Sequence, residues 1–444
     1  MLSFGPLSEA DEVCECGAVT QTAAPAPTTR RIHPAWWAAA ATFLALLGAA
    51  AFRATPSVMI EPLQAEFGWS IGTISAALSV NLALFGITAP FAAALMERFG
   101  VRRVVSIALL MVALGSGLTV FMTASWQLVL LWGVVVGLGT GSMAMALVAT
   151  VVGRWFVARR GLVSGVLTAA SATGQLIFLP TIAQIVQHSG WRTASLTISA
   201  CALAVVPVVL LFLRERPADL GELPYGGTPA DVVAPVRTGA ARLAVGTLWQ
   251  AAHVRTFWLL AGGFFVCGAT TTGLVQQHFM PAAHDHGMPV TTAATLLALV
   301  GVFDLVGTIG SGWLTDRFDP RLLLGVYYGL RGLSLALLVP LFAADLGGGI
   351  LAFVIFYGLD WVATVPPTMA LTRAAFGAKA PVVFGWIFAS HQLGAACAAL
   401  AAGVVRDTLG TYDVAWIGGA VLCAAGAALS LSISRRLAPA LAPA

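Results

Sequence analysis

Long apolar stretches alternate with short charged turns along most of this chain. Each stretch is about 20 residues or longer, the length at which an α-helix crosses the hydrocarbon core of a bilayer. Six stretches occupy residues 36–60, 70–96, 103–123, 126–153, 161–187 and 192–213, and six more occupy residues 256–280, 291–314, 321–343, 347–372, 380–405 and 412–434. We number them spans 1 to 12. The pattern predicts an all-α membrane protein with twelve transmembrane helices.

A polar stretch rich in proline and glycine separates the first six spans from the last six. Such a stretch is typical of a linker between folded units. We therefore expect two six-helix bundles with a polar tail at each end of the chain. The predicted parts are a disordered cytoplasmic tail at 1–34, an N-terminal bundle at 35–214, a cytoplasmic linker at 215–254, a C-terminal bundle at 255–434 and a second cytoplasmic tail at 435–444.

The composition excludes a water-soluble domain. Hydrophobic residues make up 59% of the chain and charged residues only 9%, and the mean hydropathy is +0.89. Soluble domains carry about 25% charged residues, which cover their surface. The 47 glycines suit close packing of helices in lipid, because small residues let two backbones approach.

Basic residues are distributed unequally between the two sides of the predicted membrane. With the N-terminus in the cytoplasm, 19 of the 23 Lys and Arg residues fall on the cytoplasmic side, and two, Arg192 and Arg406, on the outer side. The remaining two, Arg53 and Arg331, lie within spans. Because cytoplasmic loops carry the excess of basic residues, both termini are predicted to be cytoplasmic. Arginine outnumbers lysine by 22 to one, which is typical of GC-rich coding DNA, so we expect a bacterial inner membrane.

The turn between spans 2 and 3 is repeated between spans 8 and 9. An acid, a base and a second base recur 219 positions later, so that Glu97, Arg98 and Arg102 match Asp316, Arg317 and Arg321. Each copy follows the second span of its half, so the two halves have the same topology. Parallel halves of this kind describe one class of secondary transporter, whose substrate site lies between the halves near the membrane midplane.

The duplicated turn, the twelve spans and the mid-chain linker resemble the major facilitator superfamily over about residues 35–434. In that family the turn reads G-x-x-x-D-R/K-x-G-x-R/K, and its acid and base make inter-helix contacts that hold the cytoplasmic face shut in one state. Here Ala93 and Glu97 replace the Gly and the Asp in the first copy, and Asp319 replaces the later Gly in the second. The resemblance implies the major facilitator fold. It also implies a gate role for Glu97, Arg98, Arg102, Asp316, Arg317 and Arg321.

A finer resemblance is to the branch of that family that contains monocarboxylate and oxalate/formate carriers. It rests on short motifs at residues 33–37, 66–70, 154–156 and 159–161. The branch has a basic residue in the outer half of its first helix, close to Arg53, and an Asp in its eighth helix, matched by Asp304. Many members have an Arg four residues after that Asp, where this chain has Thr308.

Polar side chains at membrane depth are the candidates for the transport site. A charge in the middle of a bilayer costs roughly 2.5 kcal/mol or more, so it is usually paired or functional. At about 1.5 Å per residue, Asp304, Asp360 and Arg331 all fall near the middle of the membrane. The predicted substrate-binding residues are Arg53, Asn81, Gln175, Gln276, Asp304, Asp360 and His391, and the predicted proton-coupling residues among them are Asp304, Asp360 and His391.

Each candidate also has a structural interpretation. Asp304, Arg331 and Asp360 could form a salt-bridge group that never titrates. Arg331 is assigned to a structural ion pair, because every third helix is peripheral in the superfamily that the chain resembles. Arg53 could extend its guanidinium to the outer membrane surface. The amides could simply hydrogen-bond neighbouring helices.

These residues and the resemblance together predict a secondary active transporter of a small organic anion, a carboxylate, moved with protons by rocking of the two bundles. Arg53 would bind the anion, and Asp304, with Asp360 or His391, would carry the proton. The alternatives are proton-driven efflux of a hydrophobic compound and a membrane sensor that does not transport. The sequence has no phosphate-binding loop and no catalytic set at one depth, so neither ATP drive nor enzymatic activity is predicted. We expect a monomer with no cofactor, metal or nucleic-acid partner.

Overall fold

The computed structural model describes residues 32–229, 239–343 and 347–435. The predicted tails at 1–34 and 435–444 lie almost wholly outside these residues, as does part of the predicted linker at 215–254. Within the described residues the chain is mostly helical, and long apolar helices lie where the hydropathy pattern places them.

The first half contains spans 1 to 6. Span 1 is made of two helices, spans 2 and 3 of one helix each, and span 4 of a short helix, a π-helical segment and a longer helix. Their bounds are Pro34–Ala54, Pro56–Phe67, Ile71–Phe99, Val101–Gly117, Ser125–Leu128, Val129–Val136 and Gly137–Trp155. Spans 5 and 6 follow each other without a loop over Arg160–Phe212. Gly190 separates them, because its φ of 80° and ψ of 165° are not helical.

The second half contains spans 7 to 12. Span 7 is a helix, a π-helical segment and a helix, span 10 is two helices, and the other four spans are single helices. Their bounds are Arg255–Gly268, Ala269–Val275, Gln276–Asp285, Val290–Thr315, Pro320–Ala343, Gly347–Asp360, Val365–Phe376, Ala380–Leu409 and Asp413–Leu431. With the division at Gly190, the described residues contain the twelve predicted spans.

We call the end of the molecule that carries the repeated turns, residues 97–102 and 316–321, the motif end. The opposite end, with loops at 68–70, 286–289 and 410–412, is the far end. Because the number of spans is even, the chain enters span 1 and leaves span 12 at the motif end.

A proline breaks span 1 beside the arginine predicted to bind substrate. Pro56 has no backbone N–H, so the carbonyl of Phe52 cannot receive the usual helical bond from four residues later. That carbonyl accepts from the Thr55 N–H instead, at 3.0 Å. Arg53 therefore lies at the end of the first helix of span 1, directly before the break.

Span 10 differs from its prediction because its helix is interrupted. The hydropathy pattern predicts one helix over 347–372. The structure has two helices, Gly347–Asp360 and Val365–Phe376, with a series of turns between them. The apolar pattern continues through the turns, so hydropathy alone gives no sign of the break.

The interruption follows from two consecutive prolines, Pro366 and Pro367. Pro367 has no N–H to donate to the carbonyl four residues earlier, that of Ala363. A side chain of span 8 replaces the missing donor, since Ser311 Oγ donates to the Ala363 carbonyl at 2.5 Å. Span 8 therefore packs against the break and satisfies part of its main chain.

Spans 2 and 11 pack closely across the boundary between the two halves. A Cβ atom at Gly72 would lie 2.8 Å from Asp407 Oδ2, and one at Gly403 would lie 2.5 Å from Ser75 Oγ. Both distances are shorter than normal contacts. Glycine at these two positions is what allows the helices to approach at the far end.

The predicted linker contains a helix, Ala240–Ala252, that its composition does not indicate. Trp386 Nε1 donates to the Ala244 carbonyl at 2.9 Å, and Lys379 Nζ donates to Gln250 Oε1 at 2.9 Å. The helix is therefore attached to the motif end of span 11.

Candidate functional site

A cavity lies between the two halves, beside the break in span 1. About 390 Å³ of space there is free of atoms, part of it open to solvent. Spans 1, 2, 7 and 11 line it with residues that include Arg53, Phe85, Gln276, Gln277 and Gln392. We call it the Arg53 lobe. Spans 1 and 2 belong to the first half and spans 7 and 11 to the second. The lobe therefore lies on the boundary where transporters built of parallel halves bind substrate.

Arg53 supplies the positive charge of this lobe. Its guanidinium lies over the ring of Phe85, 5.0 Å from the ring centroid, which is a cation–π contact. Among the described residues, no hydrogen-bond acceptor or carboxylate is paired with the guanidinium. A charged group without a counter-ion is costly in a membrane protein, and a bound anion would remove that cost.

Amide side chains make up much of the remaining polar lining. The Oε1 atoms of Gln277 and Gln392 are buried and have no hydrogen-bond partner among the described residues. Asn81 also lines the lobe, but its Nδ2 donates to the Trp132 carbonyl at 2.6 Å. Asn81 therefore ties span 2 to span 4 while it borders the cavity.

A second cavity adjoins the first at Gln276, which lines both. About 370 Å³ of space there is free of atoms, part of it open to solvent, and residues that include Leu179, Leu297, Asp304 and Trp361 border it. We call it the Asp304 lobe. Its lining combines apolar side chains with three polar ones, those of Ser57, Gln276 and Asp304. A molecule that spans both lobes would therefore meet the arginine at one end and a carboxyl group among apolar side chains at the other.

Asp304 has no cationic partner among the described residues. Its Oδ1 accepts from Thr308 Oγ1 at 3.0 Å and from the Val362 backbone N–H at 3.1 Å. Thr308 occupies the position at which many of the resembled carriers have an Arg, and it supplies a hydrogen bond in place of a charge. Val362 lies in the break of span 10, so the carboxylate contacts that break directly.

Arg331 and Asp360 form a buried ion pair within the second half. The Arg331 Nε to Asp360 Oδ2 distance is 2.5 Å, and the Arg331 side chain is 0% exposed. Arg331 also donates from Nη2 to the Asp360 carbonyl at 2.7 Å and from Nη1 to Cys267 Sγ at 3.1 Å. Neither charged residue belongs to the lining of the two lobes. Asp360 is therefore the partner of Arg331 in the predicted structural ion pair.

Two further residues predicted to bind substrate are not part of the described lining. The ring of His391 packs between Phe264 and Phe388, with centroid distances of 4.9 and 5.8 Å. The side chain of Gln175, in span 5, lies outside the described residues. The predicted residues that the structure brings to the cavities are Arg53, Asn81, Gln276 and Asp304.

Charges within the first half hold the first copy of the repeated turn. Arg154 Nη2 lies 2.5 Å from Glu97 Oε1, and Arg154 Nη1 lies 3.8 Å from Glu215 Oε2. Glu215 in turn accepts from the first two amides of span 3, one of them that of Arg102, at 2.7 and 3.0 Å. A Cβ atom at Gly100 would lie 2.6 Å from Glu215 Oε1, and its φ of 91° also favours glycine.

The second copy of the turn lies at the surface and is paired differently. Asp316 is exposed, and the Arg317 guanidinium lies over the Trp313 ring at 4.0 Å. Arg321 Nη2 lies 2.5 Å from Asp319 Oδ2. Hydrogen bonds from Arg321 hold the pKa of Asp319 below its usual range. This carboxylate therefore stays ionised to a lower pH than a free Asp, and the pair is lost only as the pH falls through the lowered pKa.

Polar contacts between the halves hold the far end shut. The Asp407 carboxylate of span 11 accepts from the first amides of span 2, those of Ile71 at 2.9 Å and Gly72 at 2.6 Å. His284 Nδ1 of span 7 lies 3.1 Å from Glu61 Oε1 of span 1. Both contacts join the first half to the second.

At the motif end, the described charge pairs stay within one half. Glu97 pairs with Arg154, and Arg321 pairs with Asp319. Arg98 lies over the ring of the neighbouring Phe99, 5.2 Å from its centroid. In the described residues, polar contacts therefore join the two halves at the far end, and no ion pair joins them at the motif end.

The family model of the Major Facilitator Superfamily matches residues 41–380. This match covers most of the chain, and the chain belongs to that superfamily. It is therefore a multi-pass membrane protein of a transporter family, built of two six-helix bundles.

Relatives of this chain include an uncharacterised MFS-type transporter and monocarboxylate transporters. The chain is 24% identical over 393 residues to YcxA, an uncharacterised MFS-type transporter of Bacillus subtilis (strain 168), covering 85% of this chain and 90% of that protein. It is 26% identical over 373 residues to monocarboxylate transporter 13 of Bos taurus, covering 83% and 82%. It is 28% identical over 371 residues to monocarboxylate transporter 11 of Mus musculus, covering 81% and 78%. These similarities agree with the resemblance to the monocarboxylate branch.

Solved structures confirm the predicted fold. A bacterial homologue of the human lysosomal transporter Spinster, in an inward-facing and occupied conformation, superposes with a TM-score of 0.70 at 15% identity, covering 92% of this chain and 98% of that chain. A D-xylose-proton symporter superposes with a TM-score of 0.69 at 15% identity, covering 91% and 98%. At this identity the likeness concerns the fold alone.

Sequence reasoning missed several residues at these sites. Phe85 is one apolar residue among many in span 2, and nothing in the pattern places it beneath Arg53. The Val362 amide is a main-chain group, but Pro366 and its neighbouring proline signal that its helix is interrupted. Glu215 lies in a charged run directly after span 6, and its place beside the repeated turn depends on tertiary packing.

Proposed function

We propose that this protein is a secondary active transporter of a small organic anion, a carboxylate, that moves together with protons. One observation carries the proposal: the Arg53 guanidinium lines a cavity between the halves and has no ionic partner among the described residues. A guanidinium presents N–H donors in a planar fork that fits both oxygens of a carboxylate. A substrate carboxylate at Arg53 would supply the missing negative charge.

The adjoining lobes suggest how the rest of the substrate is placed. Its carboxylate lies at Arg53, and its body extends past Gln276 towards the apolar side chains of the Asp304 lobe, Leu179 and Leu297 among them. The amides of Gln277 and Gln392 provide further polar contacts near the charged end. The chemistry of this lining supports a monocarboxylate over a dianion, since the described lobes contain one arginine.

Asp304 is the proposed proton carrier. It lines the cavity, has no cationic partner among the described residues, and would lose its negative charge on taking up a proton. An unpaired charge within a membrane protein is costly, so neutralisation favours passage of the site through a closed state. Asp360 and His391 stay secondary candidates, because neither lines the two lobes and Asp360 is already paired with Arg331.

Transport would proceed by rocking of the two bundles about the shared cavity. We assign the motif end to the cytoplasm from the excess of basic residues there. The conformation described would then be closed to the outside by the Asp407 contacts with span 2. In the opposite conformation these contacts would separate, and the repeated turns, with Glu97, Arg98, Asp316 and Arg317, would close the cytoplasmic end.

Ligand-induced stabilisation tests the recognition step directly. A ligand that binds the folded protein raises its unfolding temperature in a concentration-dependent way. We expect this for a series of straight-chain and aromatic monocarboxylates added to the purified protein in detergent, but not for the matched primary amides. Arg53→Gln should abolish the shift while leaving the ligand-free unfolding temperature close to that of the unmodified protein.

The apolar side chains of the Asp304 lobe favour a second candidate, proton-driven efflux of a hydrophobic compound. That function predicts that an uncharged amide stabilises the protein as well as its carboxylate does. It also predicts that Arg53→Gln leaves ligand binding unchanged. Either result would contradict anion transport and support efflux.

A further inference from the structure

The break in span 10 contains one main-chain amide whose acceptor can change its charge. In a continuous helix the Val362 N–H would bond to the Gly358 carbonyl. That carbonyl accepts from the Trp361 N–H at 3.1 Å, and the Val362 N–H donates to Asp304 Oδ1 at 3.1 Å. A carboxylate of span 8 therefore holds an amide of span 10 out of its helical hydrogen bond.

The other side chains that bond to the main chain of the break do not change charge. Arg331 Nη2 donates to the Asp360 carbonyl at 2.7 Å, and Ser311 Oγ donates to the Ala363 carbonyl at 2.5 Å. The guanidinium stays charged at every physiological pH and the hydroxyl stays neutral. Of the described side chains that bond to the main chain of the break, the Asp304 carboxylate is the one that a proton can neutralise. Two further titratable groups reach the break indirectly, Cys267 through the Thr364 side chain and Asp360 through Arg331.

The two helices of span 10 are held differently by span 8. A Cβ atom at Gly307 of span 8 would collide with the Leu359 carbonyl, and one at Gly358 would lie 2.7 Å from Phe303 Cβ. The helix Gly347–Asp360 therefore packs directly on span 8. The second helix, Val365–Phe376, begins after the turns, on the motif side of the break, so its direction relative to the first helix depends on them.

We propose that the charge on Asp304 sets the angle between the two helices of span 10. The ionised carboxylate is a strong acceptor and holds the Val362 amide away from the Gly358 carbonyl. When Asp304 takes up a proton and becomes a neutral carboxylic acid, this bond weakens. The amide then returns to the Gly358 carbonyl, and the helix Val365–Phe376 turns relative to span 8. The inference rests on the proposed proton uptake and names the element through which it acts.

Few other titratable or charged groups face Asp304 from the neighbouring helices. Span 9 brings Arg331 and span 10 brings Asp360, which are paired with each other. Span 7 brings Cys267, which lies against Arg331, and span 11 brings His391 between two aromatic rings. Span 5 presents an apolar side chain to this lobe. Asp360 and His391 are therefore the competing origins of a pH response. Asp304→Asn leaves both of them in place and so distinguishes them from Asp304.

Distances between spin labels within span 10 test the proposal. The labels are attached to cysteines that replace Leu351 and Met369, which are exposed on opposite sides of the break. The six native cysteines are first replaced by serine. With Asp304 present, we expect two distance populations whose ratio changes with pH. In Asp304→Asn, which is neutral at all pH values, only the low-pH population should remain. A pH-dependent ratio in that variant would overturn the proposal.

Three controls distinguish the proposed change of the span 10 angle from other effects of pH. Thr308→Val removes one hydrogen bond that favours the ionised form of Asp304, so the full change should persist with its midpoint at higher pH. His391→Gln should leave the response unchanged, and its loss there would overturn the assignment to Asp304. Labels at Leu322 and Leu337, on the unbroken span 9, should report one distance at every pH.

The outcome of the spin-label experiment is independent of whether the proposed transport function is correct. In one outcome, transport requires Asp304 and the proton gradient while the distance within span 10 does not change with pH. In that case the proposed change of the span 10 angle is wrong, and proton coupling through Asp304 is retained. Conversely, the distance within span 10 can depend on pH through Asp304 while the transport rate does not depend on the proton gradient. In that case the proposed change of the span 10 angle is retained, and proton-coupled transport is wrong.

Discussion

At the scale of single residues, a buried charge in a membrane protein is costly unless it is paired or serves a function. Arg331 is neutralised by Asp360 at 2.5 Å. Asp304 is satisfied by neutral hydrogen-bond donors. Arg53 has only the face of an aromatic ring. This difference in pairing, which depth along a helix cannot reveal, separates the structural charge pair from the two groups that border the cavity.

Replacing Arg53 should weaken carboxylate binding according to the hydrogen bonds lost. Hydrogen bonds to charged groups contribute roughly 1.5–3 kcal/mol, so Arg53→Gln should raise the carboxylate Kd roughly 10- to 150-fold. Arg53→Lys keeps the charge but loses the planar fork, and its Kd should be intermediate. Calorimetric titration of the purified protein measures both. Arg192→Gln, at the far end, is the control and should bind normally. Unchanged affinity in Arg53→Lys would argue against bidentate recognition.

Removing one member of the buried pair should be far more damaging than removing both. Arg331→Met leaves the Asp360 carboxylate buried without a counter-charge, for a loss of about 3–5 kcal/mol in unfolding free energy. The double variant Arg331→Met with Asp360→Leu removes both charges and should recover most of that loss. Denaturant unfolding in detergent provides the comparison. A double variant no more stable than Arg331→Met would show that the pair has a role beyond mutual neutralisation.

At the scale of elements, the irregular parts of the helices lie beside the cavity. Span 1 breaks next to Arg53, span 7 has a π-helical segment, Ala269–Val275, that contributes to the same lobe, and span 10 breaks next to Asp304. Prolines account for the two breaks, because each removes a main-chain donor. The freed carbonyls and amides are satisfied by side chains from neighbouring spans, which is how membrane helices tolerate such interruptions.

The contact between spans 8 and 10 should be sensitive to a single methyl group. Gly307→Ala would place its Cβ atom against the Leu359 carbonyl, and overpacking of this kind costs about 1–3 kcal/mol. Gly310→Ala is a matched control one turn away on the same helix, since nothing lies within 4 Å of its added Cβ atom. The control should be neutral or slightly stabilising. Equal unfolding temperatures for the two variants would disprove the close contact.

Asp407 should hold the far end closed. Asp407→Ala removes the acceptor of two span 2 amides and should shift the population towards conformations with a separated far end. Spin labels at Gln64 and Thr292, exposed on opposite halves, would then report longer distances. Asp413→Asn, which changes a nearby acid that begins span 12, should leave the distances unchanged. No lengthening in Asp407→Ala would mean that the glycine packing of spans 2 and 11 suffices for closure.

At the scale of the whole molecule, the sequence predicts the architecture better than the site. Apolar length and the repeated turn at Glu97 and Asp316 are enough to predict twelve spans and the superfamily, since both depend on local sequence. Depth along a helix predicts that Asp304 and Asp360 lie near one level, and Asp304 contacts an amide two residues after Asp360. It does not indicate which way each side chain faces, and only Asp304 borders the cavity. That direction depends on helix rotation and packing, which apolar periodicity specifies weakly in a membrane.

Uptake into proteoliposomes tests whether the protein transports a carboxylate together with protons. A labelled monocarboxylate is added outside, with and without an inwardly directed proton gradient. We expect the gradient to drive accumulation above equilibrium, Asp304→Asn to lose the response to the gradient, and Arg53→Gln to lose saturable uptake. Carboxylate flux that is absent under both conditions, or that is equal with and without the gradient, would contradict proton-coupled anion transport.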